Sequence, residues 1–555
     1  MRYLPILSWL PNYRRAWLRD DGVAAVSVWA LLVPQALAYA TIAGVPVQYG
    51  LYTAFAALIA YTLFGTSRQV VQGPSATVAA VSTAVITPLA GAAAIGTDKA
   101  APWAAALALA AGAVYVALGA ARMGWVSNFL SRAVLAGFIF GFGVGIVIDQ
   151  SSKLFGVSAG DGSYAEELVH IIGHLGDTSL QTLAVGALSL AILLPLRYAR
   201  PKWPRALLVV VLATSASALL DLSDHGVAVT GDVPTGLFSV GLPDVGSSDI
   251  GQLVVGALSV VFVGFSETLA AGRSMAAKHD YELDPDQELI AQGFANGAAG
   301  FAGGFVNDGS LSKTSVADDA GQRTQMASLI NAALVLLTML VLASLFEQLP
   351  SAALGAIVID AMVGLITLAE GRRYYRINRS DWVVYLAAMA GILFFGIIAG
   401  IVTGVALSLL LLIARASNPA LRTLGRHPDS TAYLDLSRHT GLETTPGVLV
   451  VRLDGPLFFA NANRFRDRVR DLLGGADERV RALVIDAEAV SQTDTDGADV
   501  LSELAGELRR RRISIALARV QSAVGDLWRR AGAIEAIGGD GRVFPTVLEA
   551  VEAVR

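Results

Sequence analysis

Two stretches decide the reading of this chain: Val71-Gln72-Gly73-Pro74-Ser75-Ala76-Thr77 and Asn307-Asp308-Gly309-Ser310-Leu311-Ser312-Lys313-Thr314. Each sets polar and helix-breaking residues beside a short helical stretch, inside a long apolar region. Non-helical backbone at membrane depth persists only where protein or a water-filled cavity satisfies its polar groups. Interrupted segments at corresponding places in two halves point to a transporter's binding site. The halves correspond weakly, with Pro34-Gln35-Ala36-Leu37-Ala38 laid on Ser266-Glu267-Thr268-Leu269-Ala270. A half-helix follows each run, near Ser75 and near Ser312. An odd number of spans per half inverts the second copy, so the two half-helices point their N-termini at each other. Each N-terminus carries roughly half a positive charge and unpaired N–H groups, which together suit an anion. The plainer alternative is two ordinary glycine and proline kinks.

Composition agrees with a membrane setting. Of 555 residues, 54% are hydrophobic and 16% charged, and the charges thin out before about residue 415. The net charge of −5 gives no reason to expect nucleic acid, and the absence of cysteine excludes disulfides and thiolate metal sites. A spanning helix needs about 20 mostly apolar residues. Candidate spans begin near Val23, Leu51, Pro74, Pro102, Ala133, Leu180, Ala206, Leu253, Glu288, Gly309, Met326, Ala352, Trp382 and Ile401. The expectation is thus a polytopic α-helical protein of about fourteen spans. Residues 1–20 form an N-terminal segment with Arg2, Arg14, Arg15 and Arg19, and no removable signal peptide is expected.

With that segment in the cytoplasm, the positive-inside rule is obeyed throughout. Loops with Arg68, with Arg122 and Arg132, and with Arg197, Arg200, Lys202 and Arg205 fall inside. So do Arg273 with Lys278, Arg323, and the run Arg372, Arg373, Arg376 and Arg379. The loop with Asp221, Asp224, Asp232, Asp244 and Asp249 falls outside. Both termini are then cytoplasmic.

Glu267 ends the apolar run Val260-Val261-Phe262-Val263-Gly264-Phe265-Ser266. A carboxylate there is costly unless paired or protonated, so it is a candidate proton carrier, or else a structural partner of Lys313. Ser312 offers a hydroxyl to an oxyanion, or serves as an N-cap. Lys313 offers a full positive charge, or snorkels to an interface. Asp308 sits either in an outer vestibule or close enough to offset Lys313. Gln35 and Tyr39 share a helix face, as pocket residues or as interhelical packing. His170 and His174, four apart, belong to an amphipathic surface segment rather than a metal site. No Walker sequence is present. The chain is read as no enzyme, with no catalytic residue, metal or cofactor.

From Gly447 the period changes. Residues 447–453, 482–486 and 514–518 read as strands, and 461–473 and 498–511 as helices, predicting an α/β domain over 446–555. Residues 417–445 read as a polar linker after a transport domain over 21–416.

These segments resemble the SulP sulfate-permease family. The resemblance lies in Val33-Pro34-Gln35-Ala36-Leu37-Ala38-Tyr39-Ala40, Phe64-Gly65-Thr66-Ser67-Arg68, Gly73-Pro74-Ser75-Ala76 and Gly309-Ser310-Leu311-Ser312-Lys313-Thr314. It extends to Glu267 with Asp284-Pro285-Asp286-Gln287-Glu288-Leu289-Ile290-Ala291, and to a tail similar to a STAS domain down to Asp494-Thr495-Asp496-Gly497. The resemblance implies two inverted repeats of seven spans, with a core (spans 1–4 and 8–11) moving against a gate. It implies a homodimer in a bacterial inner membrane with cytoplasmic STAS domains open to a partner. It implies an anion site of Gln35, Tyr39, Pro74, Ser75, Leu311, Ser312 and Lys313, with Glu267 linked to proton coupling. Many members carry arginine at Lys313, and lysine lacks its two-point grip on oxyanions. Asp496 stands where related proteins carry a phosphorylated hydroxyl. The expected function is proton-coupled symport of sulfate, bicarbonate or a dicarboxylate. The competing readings are an uncoupled channel or exchanger, and a membrane-anchored STAS sensor.

Overall fold

A computed structural model describes residues 4–555 apart from 126–130, 159, 161, 201–202, 232–235, 247–248 and 477–478. Arg2, Lys202 and Asp232 of the charge pattern lie outside the described residues. The chain divides into two compact units, Met1–Ser408 and Leu409–Arg555.

The first unit is helical. Its helices are α1 (Leu18–Ile42), α2 (Gln48–Phe64), α3 (Ala76–Ala90), α4 (Ala101–Ala120), α5 (Arg132–Phe155), α6 (Tyr164–Gly173), α7 (Leu180–Ala199) and α8 (Arg205–Leu219). There follow α9 (Ile250–His279), α10 (Pro285–Phe301), α11 (Leu311–Asp319), α12 (Met326–Leu337), α13 (Ser351–Leu365), α14 (Leu368–Ile377), α15 (Arg379–Phe395) and α16 (Ile397–Ala416). Every expected span start falls in one of these helices or within two residues of its first turn. Among the described residues seven helices are long and apolar enough to cross a membrane, and Ala76–Ala90, Arg205–Leu219 and Val402–Ala416 are shorter apolar helices. Leu188, Leu219, Val255 and Phe395 stand exposed, as a hydrocarbon solvent allows.

The helices sort into two groups. In one, α1–α4 pack with α9–α12; in the other, α5 packs with α7, α13 and α15. Small residues make the closest approaches, as expected where lipid gives no hydrophobic drive between helices. A Cβ at Gly112 of α4 would lie 2.8 Å from the Gly293 carbonyl oxygen of α10. In the second group Asp360 of α13 binds the guanidinium Nε of both Arg197 and Arg205, each at 2.9 Å. These two basic residues therefore fix a carboxylate inside the bundle. The loops carrying Arg68 and Arg323, expected on one face, do meet: Gln322 Nε2 donates to the Arg68 carbonyl at 2.8 Å.

The second unit holds a six-stranded sheet in the order β4-β3-β5-β6-β7-β8. The strands are β3 (Ala420–Arg426), β4 (Tyr433–Asp435), β5 (Val448–Asp454), β6 (Ala482–Asp486), β7 (Ser514–Ala518) and β8 (Val543–Phe544). Strands β5 to β8 run parallel, as the alternation of strand and helix predicts. Phe465, Leu501 and Trp528 cover one face, and Val547 and Val551 the other. The stretch 417–445 is not a plain linker. It supplies β3, antiparallel to β5, and β4, antiparallel to β3. Its polarity misled because β3 has only one buried face: Leu424 turns inward while Arg422 and Arg426 pair with Asp454 and Glu443. Helix Thr495–Arg510 starts earlier than expected because the Asp494 carboxylate caps it, accepting from Gly497 N at 2.9 Å.

Candidate functional site

The two broken segments meet. Gln72–Gly73 (β1) pairs antiparallel with Asp308–Gly309 (β2), with Gln72 opposite Gly309 and Gly73 opposite Asp308. Two more bonds extend the contact: Ser310 N donates to Val71 O at 3.2 Å, and Val71 N to Thr314 Oγ1 at 3.1 Å. The strands lead directly into α3 and α11, so both helices begin at one place. Ser75 and Ser310 hold the N-cap positions, and neither uses its hydroxyl to cap its own helix. First-turn N–H groups of both half-helices are thus left open to a ligand. Ser312 lies within α11 rather than before it, so it is not the N-cap.

Charged groups cluster at this junction. Lys313 is 1% exposed, and its ammonium donates to the Pro74 carbonyl, crossing from the second half to the first. It does not snorkel. Glu267 accepts from Thr77 Oγ1 at 2.6 Å, and Thr77 in turn lies 3.3 Å from Ser75 Oγ. Asp308 is fully buried, with Ser75, Glu267 and Lys313 as its polar and charged neighbours. Its burial rules out the open vestibule; it offsets Lys313. One ammonium and two carboxyl groups carry a net charge of minus one when both acids are ionised and plus one when both are protonated. The charge of the cluster therefore follows how many protons it holds.

The remaining predicted residues divide. Gln35 and Tyr39 are buried on one face of α1. Gln35 Oε1 has no hydrogen-bond partner, and Glu267 and Asp308 are electrostatic neighbours of the Tyr39 phenol, as are Asp360 and Arg197 of the second helix group. Leu311 and Ser312 are exposed, and Ser312 Oγ meets only Ser310 Oγ, at 3.0 Å. They flank the buried cluster rather than join it.

Sequence reasoning missed the scaffold beneath. Gln72 Nε2 donates to Gln292 Oε1 and to Asn307 Oδ1, both at 2.7 Å. Asn307 N donates to Asn296 Oδ1 at 2.9 Å, and Gly309 N to Thr268 Oγ1 at 2.8 Å. The signal was present: Gln292 and Asn296 stand four apart on a buried helix, where amides need partners. Glu288 entered the sequence reading only as a span start and as part of a motif. It is fully buried, accepting from Tyr61 Oη at 2.7 Å and Thr66 N at 2.8 Å, and so fixes the loop that leads into β1. Asp21 does the same for the loop after α11, accepting from Arg323 N at 2.7 Å and Thr324 N at 3.1 Å.

Comparison with known proteins places this geometry in context. The sulfate permease family model matches residues 18–388, and the STAS domain model matches residues 440–550. A probable sulfate transporter of Mycobacterium tuberculosis is 35% identical over 544 residues, covering 98% of this chain and 96% of its own. A chloroplastic sulfate transporter of Arabidopsis thaliana is 30% identical over 569 residues, covering 99% and 82%. Among solved structures, the murine solute carrier 26 family member A9 anion transporter in its inward-facing state superposes with a TM-score of 0.91 at 27% identity, covering 99% of this chain and 93% of that one. The transmembrane domain of a cyanobacterial bicarbonate transporter shares the fold, with a TM-score of 0.61 at 22% identity over 70% of this chain and 98% of its own.

Proposed function

Because the chain belongs to the sulfate permease family of anion transporters and carries a STAS domain, we propose that it is a proton-coupled symporter of a small anion, working by alternating access. The observation that carries this reading is the junction of two uncapped half-helix N-termini with Lys313, Glu267 and Asp308. Helix N-termini bind anions through oriented N–H groups. The anion would sit between Ser75 and Ser310, walled by Gln35 and Tyr39 and bordered by Pro74, Leu311 and Ser312. With both acids ionised, Lys313 is neutralised and the anion is repelled. Protonation of Glu267 brings the cluster from minus one to zero, with Asp308 still balancing Lys313, and lifts the repulsion of the anion, so proton and anion bind together and leave together. That linkage needs no ATP and no cofactor.

Sulfate is the first substrate to test, with bicarbonate and fumarate beside it. The proposed setting is a bacterial inner membrane with fourteen spans, both termini in the cytoplasm, and a homodimer whose STAS domains are free for a cytoplasmic partner. The decisive experiment is uptake of these labelled anions into proteoliposomes, with and without an inward proton gradient. Wild-type uptake should rise with acid outside. Glu267→Gln should abolish that dependence, and full pH-driven accumulation in the variant would sink the coupling role.

A further inference from the structure

Away from this site, α6 lies against the end of α5. Tyr164 seats its ring where Gly145 has no side chain, so a Cβ there would collide with the ring. Ser163 caps α6, with Glu166 returning the bond in a capping box. This anchoring turns Glu167, the next residue, inward. Its side chain lies 6% exposed on a helix that is otherwise largely open to solvent. Asp149 of α5 stands within hydrogen-bonding reach of the Glu167 carboxyl, yet Glu167 Oε1 receives no donor. Gln150 Nε2 donates to the other side of Asp149, at 2.6 Å to Oδ2, and Gln150 Oε1 is itself buried without a partner.

Among the described residues, no donor is directed at Glu167 Oε1. The ammonium of Lys153, one turn from Asp149, donates to Thr41 Oγ1 of α1 at 3.1 Å. His170, one turn beyond Glu167, is directed at Ser158, with 3.4 Å from Nε2 to Oγ. Helix α13 packs along α5, and a Cβ placed at its Gly355 would lie 3.5 Å from the Lys153 Cβ. Among the described residues, the charged neighbours of Glu167 are Asp149 and Lys153, and Tyr164 is the other titratable group of the cluster. Two carboxylates facing each other at this range, both ionised, repel strongly; a shared proton turns the contact into a hydrogen bond.

We propose that Asp149 and Glu167 hold one proton between them, forming a second proton-binding site separate from Glu267. Burial, with Asp149 beside it, pushes the Glu167 carboxyl up to about 8. The site also bears on movement. Lys153 and Thr41 join the two helix groups, α5 to α1. When the proton leaves for water, two negative charges stand beside Lys153 and compete with Thr41 for its ammonium. Proton occupancy thereby sets how firmly α5 is held to α1.

The test is an infrared difference titration of the purified full-length protein, from about pH 6 to pH 10, following the protonated-carboxyl C=O band. It uses no substrate and no gradient, so its outcome is independent of whether the chain proves to be a proton symporter. The wild type should lose one such band with a midpoint near 8. Glu267→Gln should keep that band. Glu167→Gln and Asp149→Asn should each lack it; either serves if the other fails to fold. A band unchanged in both, no band in the wild type, or displacement of the band by added Na⁺ at constant pH would overturn the proposal.

Discussion

The Lys313 ammonium is seated on the Pro74 carbonyl, so a cation from the second half closes on the backbone that precedes the first half-helix. The bond spans 239 positions of sequence, and among the described residues Asp308 and Glu267 are the charges balancing it.

Removing that cation exposes the two acids to each other. Lys313→Met should lower sulfate uptake at least about tenfold, since breaking a buried charge set costs ~3–5 kcal/mol. The loss should be smaller at acidic pH, where protonation replaces the missing countercharge. Lys313→Arg should keep activity but change the ranking of sulfate against bicarbonate, because the guanidinium grips at two points. A defect in Lys313→Met that is equal at all pH values would contradict the charge balance described above.

The buried amide network can be tested by stability alone. Gln72→Leu leaves Gln292 and Asn307 short of donors, at ~1–3 kcal/mol for each orphaned group. Its apparent melting temperature in detergent should drop by several degrees. Gln72→Glu should be worse still, since it places an acceptor against two acceptors. Wild-type melting in either variant would show that water replaces the amide.

Glu288 is expected to be more demanding than a residue at the start of a span would suggest. Glu288→Ala strips a carboxylate that accepts from Tyr61 and from the loop at Thr66, and should both destabilise the fold and slow uptake. Glu288→Gln retains the shape and part of the bonding, so it should recover much of the stability. Should Glu288→Ala melt normally while uptake fails, the residue would have to act on the anion itself.

The pH dependence of stability has a definite sign. Glu167 is raised from 4.5 to about 8 in the folded protein. Between those values the unfolded chain has lost its proton and the folded chain keeps it, so stability falls as pH rises through the window and levels off above it. Melting scans across that range should slope downward, and Glu167→Gln should flatten the slope. An unchanged slope would place the titration elsewhere.

Much of this was legible in the sequence. Hydropathy located the helices, and the two breaks located the β1–β2 junction, because glycine, proline and polar residues at membrane depth have few other uses. What escaped was partnership. Nothing in the spacing says that Gln72 meets Gln292, or that Glu288 reaches back to Thr66, since those contacts cross from one half to the other. Ser310 rather than Ser312 holds the N-cap, because an offset of two residues decides which serine precedes the helix. Strand β3 was lost to polarity, since a strand with one buried face carries arginines on the other as readily as a linker does.

The β1–β2 pairing also bears on how such a chain is inherited and divided. Each half brings one strand, one half-helix and part of the amide network, and neither owns a finished pocket. A polypeptide severed between α8 and α9 would give two fragments, each holding half of the junction, which is whole only on their recombining. The ladder between Gln72 and Gly309 is the seam of that union. Once joined, neither half-helix start can shift without dragging its counterpart, so the pocket travels as cargo in a single carriage.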